Sequence, residues 1–144
     1  MAYDENLVTI TLPAASGIAS KTGVSGVDTA TGSDHGGKQY YFVKVDSSGN
    51  AALGASGSSE VIIGVLQNKP QVAGAAATIA TGGISRAVVG ATAVAAGDPV
   101  KVSSTGAIIP VGTLATDLAA GIVVGVALKA GATGAIVPVA LRIS

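Results

Sequence analysis

Cysteine and tryptophan are absent from this 144-residue chain, histidine occurs once, and the aromatic side chains are confined to Tyr3, Tyr40, Tyr41 and Phe42. Without cysteine there is no disulfide, no thiolate nucleophile and no thiolate metal site. With so few aromatics the core has to be filled by Val, Ile, Leu and Ala, each of which buries little area. At roughly 25 cal/mol per Å² of apolar surface, such a core leaves a thin margin over the entropy of ordering the chain. Burial against neighbouring protein is the simplest supplement. Charge is scarce as well: charged residues make up 11% of the chain and their signs cancel, against about 25% charged residues in ordinary soluble domains. Lys and Arg stand singly and form no basic patch, which argues against nucleic acid as a partner. A weakly charged surface does not repel other proteins, so much of it is expected to touch protein. The first residues are acidic where a secretion signal is basic, and glycine, proline and polar residues cut every apolar run short of a membrane span. No membrane partner is expected, and the chain is expected to be made and used without crossing a membrane.

What is there is mostly strand signal. The length suits one domain. Leu7-Val8-Thr9-Ile10-Thr11-Leu12 has strand composition, and Pro13 ends it or confines it to an edge. Residues 14–37 are rich in Gly, Ala, Ser and Thr with weak apolar anchors at Ile18, Val24 and Val27. The reading preferred for residues 1–37 is an extended N-terminal arm and flexible loop, ordered on assembly, with residues 2–14 removable without unfolding the rest; an ordinary surface loop with a hairpin is the alternative. A β-domain is expected over residues 38–144. Its strand candidates are 39–45, 61–66, 75–80, 84–89, 100–102, 108–111, 122–128 and 135–143, separated by turn residues such as those at 46–50 and 97–99. One short helix is credible at 114–120, with a helical turn at 91–96 as a weaker candidate.

An internal repeat runs through these strands. Phe42-Val43-Lys44-Val45-Asp46-Ser47-Ser48-Gly49 matches Pro99-Val100-Lys101-Val102-Ser103-Ser104-Thr105-Gly106, and Val61-Ile62-Ile63-Gly64-Val65-Leu66 matches Ile122-Val123-Val124-Gly125-Val126-Ala127. A third match sets Ala73–Ile79 against Ala130–Ile136. Ala, Gly and Val match by chance often in such a composition, but the preserved order favours duplication, and hence two pseudo-symmetric halves of a small all-β barrel or sandwich. Gly49 and Gly106 read as hairpin glycines with positive φ. Gly64 and Gly125, inside apolar strands, read as bulges or sites of close chain approach.

Catalytic patterns are lacking. His35 stands near Asp28, Ser33 and Asp34, but a relay needs these groups converged with a base aimed at a nucleophile, and their Gly-bounded setting gives no sign of it. Asp28, Asp34, His35 and Asp46 have no metal-ligand spacing. Gly36-Gly37-Lys38 lacks the rest of a phosphate loop, and Gly54–Ser59 contains no Lys. Tyr40, Tyr41 and Phe42 could stack bases only if displayed together, whereas alternation sends neighbours to opposite faces; core or subunit packing is the preferred reading. No cofactor, metal or enzymatic activity is expected.

The ordered fragments Val61–Pro70, Ala73-Gly74, Ala95–Val102, Gly106–Pro110 and Gly121–Ala127 resemble the small bacteriophage capsid decoration, or head cement, proteins, in a group once described from sequence as phage recombinase-like. The resemblance spans about residues 38–143. It implies a structural β-domain on the outer surface of a phage head, bound to the major capsid protein, joining capsomers and forming a homo-oligomer, with a trimer favoured. By the same analogy Leu7, Val8, Thr9, Ile10, Thr11 and Leu12 would bind the capsid by adding a strand to one of its sheets. Tyr40, Phe42, Ile62 and Val65 are expected at contacts between subunits. A tail, baseplate or fibre component would use the same β-rich, weakly charged surface, and a carbohydrate- or small-ligand-binding module would need a concave pocket with convergent aromatic and polar groups.

Overall fold

The computed structural model describes residues 7–19, 38–55, 61–120 and 122–143. Strands β1 (Val8–Pro13), β2 (Phe42–Val45), β3 (Ala51–Leu53), β4 (Ile62–Leu66) and β5 (Ala76–Gly82) form one sheet in the order β1-β5-β4-β2-β3. Strands β6 (Ile84–Val88), β7 (Pro99–Val102), β8 (Ile108–Pro110), β9 (Val123–Ala127) and β10 (Ile136–Leu141) form a second in the order β6-β10-β9-β7-β8. Both sheets are antiparallel, and the second repeats the first strand for strand. A 3-10 turn at Ser16–Ile18 and a six-residue helix, α1 (Leu114–Ala119), complete the described elements. One parallel bridge in each repeat, Ala14 to Ala51 and Val89 to Ile108, curls the sheet toward itself without closing a barrel.

The duplication extends to single residues. Val43 pairs with Leu53 and Gly64 in the first repeat, as Val100 pairs with Pro110 and Gly125 in the second, and the irregularity between Val43 and Lys44 recurs between Val100 and Lys101. Positive φ recurs at Gly49 and Gly106, at Gly74 and Gly134, and at Tyr40 and Gly97. Tyr40 is the one described non-glycine residue in that region, at φ 68°. This kink explains why the strand starts at Phe42 and not at Gln39: a left-handed residue cannot continue the pleat. The third sequence match needs a shift of three residues. Ile79 corresponds to Val139 and not to Ile136, because Leu66 pairs with Ile79 as Ala127 pairs with Val139.

Gly64 and Gly125 face the next strand closely. A Cβ on Gly64 would run into the Ala80 carbonyl and the Ile79 side chain, and one on Gly125 into the Ala140 carbonyl and Val139. A strand amide without a ladder partner is handled differently in each repeat. Thr78 N–H donates to Asn68 Oδ1 at 3.0 Å, while its counterpart Pro138 has no N–H to satisfy. The turn after β2 is held by the Asp46 carboxylate, which accepts from the Ser48 and Asn50 amides at 2.9 Å each; after β7 the Ser103 hydroxyl accepts from Thr105 N–H at 3.3 Å.

Equivalent residues line the concave side of each curl. In the first repeat these are Ala14, Val43, Ala51, Leu66, Ala77 and Ile79, with Ile18 of the 3-10 turn added; in the second they are Val89, Val100, Ile108, Ala127, Val137 and Val139. Phe42 and Val65 belong to neither lining by this pattern. They leave the first sheet on its other side and join the apolar cluster of the second repeat, so that cluster is shared by both sheets while the first repeat's lining forms a separate one.

Several expectations change. Leu7–Leu12 is no detached arm: Thr9 to Pro13 are in register with Ala76 to Ala80, so this segment is the edge strand of the first sheet. Ala14, just beyond it, is 1% exposed, and removing residues 2–14 would strip a strand from the fold. β3 escapes strand reading because Ala-Ala-Leu has weak β propensity and is a strand only through pairing with β2. Residues 91–96 hold no helix; Val94 bridges Gly131 instead. Most of the loop expected over 14–37, including Val24 and Val27, lies outside the described residues.

Gly64→Ala and Gly125→Ala are expected to cost about 1–3 kcal/mol each, as extra volume forced into a filled site does. Gly112→Ala, with nothing within 4 Å, is expected to be close to neutral. Urea unfolding midpoints check this, and three equal midpoints would contradict it. Hydrogen bonding, led by the Asn50 amide, holds the Asp46 carboxyl below its ordinary value of 3.8. Its folded pKa is depressed, so the stability it adds is present above that value and lost as pH falls through the lower folded one. Asp46→Asn is therefore expected to remove part of the acid sensitivity, read as unfolding midpoints across acidic pH.

Candidate functional site

His35, Asp28, Ser33 and Asp34 lie outside the described residues, as do Gly36-Gly37 and Ser56–Ser59. Among the described residues no three His, Cys, Asp or Glu side chains are grouped to hold a metal. No described buried side-chain polar atom lacks a hydrogen-bond partner, so there is none of the unsatisfied polarity that often marks a reactive site. The ion pair between Lys101 Nζ and Asp117 Oδ2, at 3.1 Å, fastens α1 to β7. No described helix is long and apolar enough to cross a membrane.

The aromatic run is divided as alternation and the Tyr40 kink require. Phe42 is fully buried. Tyr40 lies against the Arg86 guanidinium, 5.9 Å from ring centroid to Cζ, and Tyr41 lies under the Lys38 ammonium at 4.8 Å. No three-ring platform for bases exists here. Of the residues expected at subunit contacts, Phe42 and Val65 are 0% exposed within the single chain, and Tyr40 and Ile62 are half-buried against the same cluster. They form a contact between the two repeats. Across it, Val88 N–H donates to Tyr40 O at 3.1 Å, Phe42 N–H donates to Gly106 O at 2.8 Å, and Gln67 Nε2 donates to Ser85 Oγ at 2.8 Å.

Two exposed surfaces stand out among the described residues. The first is β1, with one edge paired to β5 and the other at the border of the sheet. Its apolar residues are unusually exposed, Val8 at 58% and Ile10 at 42%, whereas the corresponding Ser85 of β6 is fully covered. All six residues proposed from sequence to bind a shell, Leu7 to Leu12, thus lie on or beside an exposed edge strand. The second is a cleft of about 600 Å³ on the second repeat, lined by Gly97, Pro99, Val123, Gly125, Val126 and Ile143, with Leu114 and Leu118 of α1 and Arg142 at its sides. It contains no aromatic side chain, which leaves nothing to stack on a sugar ring. The sequence reading missed this cleft; its signal was the repeat itself, since Pro99, Val123 and Val126 are the counterparts of Phe42, Ile62 and Val65.

Comparison with solved structures finds the same architecture in the N base of the head fiber protein gp8.5 of bacteriophage phi29. The TM-score is 0.60 at 13% sequence identity, over 96% of each chain. The two proteins share this fold. No family model matches the chain, and no curated protein sequence matches it.

If Phe42 fastens the repeats within one chain, Phe42→Ala is expected to cost about 3–5 kcal/mol of folding stability, the range for a buried Phe, by the same amount at every protein concentration. Denaturation at several concentrations checks this. A loss that disappears on dilution would return Phe42 to a contact between chains.

Proposed function

We propose that this protein is a structural component of a phage particle, a fibre-base-like module seated on the outer surface of the head. The observation that carries the reading is the shared fold with a head fiber base over nearly the whole of both chains. Composition supports it: a weakly charged chain with a thin apolar core gains stability from burial against protein, and the described residues hold no metal-binding cluster. The chain's resemblance to head cement proteins points to the same location and to the major capsid protein as partner, with a trimer as the proposed assembly.

Fibre base and cement differ in effect. A cement joins capsomers and raises the resistance of the shell, because many weak contacts must part together. A fibre base needs only a footing. The fibre reading is the better supported, since the matching structure is that of a fibre base. The proposed footing is the backbone edge of β1, which is paired to β5 on one side and borders the sheet on the other.

Negative-stain microscopy of purified protein mixed with capsids lacking it is expected to show projections on the head and none on the tail. Capsid melting with and without bound protein separates the two roles: unchanged melting supports a fibre base, and a marked rise supports cement. Binding confined to tails, or to neither structure, would overturn the head assignment.

A further inference from the structure

The contact between the two repeats has an unused duplicate at each end of the molecule. The face of the first repeat that holds the second is built by Tyr40, Phe42, Ile62 and Val65. Its counterpart in the second repeat, read from the paired registers, is built by Gly97, Pro99, Val123 and Val126. All four line the open cleft. The strand that docks on the first face is β6, and its counterpart is the exposed edge strand β1, since Ile136 and Val137 pair with Val88 and Ala87 as Ala76 and Ala77 pair with Pro13 and Leu12. One end of the chain thus carries an empty socket and the other an uncovered plug of the same kind.

The substitutions at these ends agree with this. Gln67 and Ser85, hydrogen-bonded across the internal contact, correspond to Leu128 and Ile10, each 42% exposed. A polar pair has become an apolar pair at both positions together, which suits a contact that excludes water. The two backbone donors of the internal contact, on Val88 and Phe42, correspond to Pro13 and Pro99, which have no N–H. The free chain therefore exposes no orphan donor at these points, and a contact there rests on apolar side chains without those two bonds.

We propose that the cleft of the second repeat receives β1 of a second copy of this chain, in a head-to-tail contact that repeats the internal one. The contact is heterologous, so it closes into a ring or continues as a chain, and lacking the two backbone bonds it is weaker than the internal contact and depends on concentration. The inference does not rest on capsid binding, and its test contains no capsid.

Sedimentation velocity of the full chain is expected to show oligomers that dissociate on dilution to the 13.7 kDa monomer. Ile10→Asp spoils the plug and Leu128→Asp the socket; both residues are partly exposed, and circular dichroism should show an unchanged fold. Each variant alone is expected to be monomeric. Mixed, they are expected to form a 1:1 dimer, because one retains an intact socket and the other an intact plug. Leu118→Asp, on the exposed side of α1, should replace Leu128→Asp in that mixture with the same result. Val45→Asp, exposed but away from both surfaces, should leave the oligomer intact. A wild-type chain that stays monomeric at high concentration, an oligomer that persists in both variants, or a mixture of monomeric variants that forms no dimer would each overturn the proposal.

Discussion

The whole structure depends on the burial of Phe42 and Val65 between two copies of one sheet. Each five-stranded repeat is small, and the two concave linings are made of Ala, Val, Ile and one Leu, with little area per residue. Either repeat alone has a poor balance of buried surface against chain entropy. By sending the chain's only Phe out of the first sheet and into the cluster of the second, the fold ties the second repeat's core to the first sheet, while the first repeat keeps a separate cluster on its other side. The backbone bonds from Val88 to Tyr40 and from Phe42 to Gly106 fix the relative position of the repeats.

This arrangement explains the features of the surface. A duplicated module that joins its copies through one face and one strand leaves the same face and strand unused at the outer ends. Proline at 13 and 99 removes donors that would otherwise be stranded there, and α1, present in the second repeat and fastened by Lys101 to Asp117, adds Leu114 and Leu118 to the walls of the open face. The two open surfaces are thus consequences of duplication, and both are apolar, as suits a protein whose partners are other proteins.

Much of this could be read from the residues because duplication leaves a double record. The hairpin around Gly49 and Gly106 and the strands around Gly64 and Gly125 were readable, since a positive φ and a close approach of backbone each demand glycine and the demand occurs twice. The last strands of the two repeats were located, but their alignment on each other was three residues out because Ala-Gly-Ala and Ala-Gly-Ala-Thr match at more than one shift, and only pairing to β4 and β9 decides. Leu7–Leu12 was read as an arm because its partner strand lies more than sixty residues away and no local pattern points to it. Tyr40, Phe42, Ile62 and Val65 were read as contacts between subunits; within the single chain they meet the second repeat, and sequence does not say whether such a surface meets another chain or another part of the same one. The cleft has no signal of its own; it follows only from setting Pro99, Val123 and Val126 beside their buried counterparts.

Amide hydrogen exchange followed residue by residue tests the shared core most directly. If the two sheets stand on one contact, the Phe42 and Val88 amides exchange only with global unfolding, at the same free energy as ladder amides within either sheet. Earlier exchange at those two positions, with one repeat opening while the other stays protected, would contradict the account.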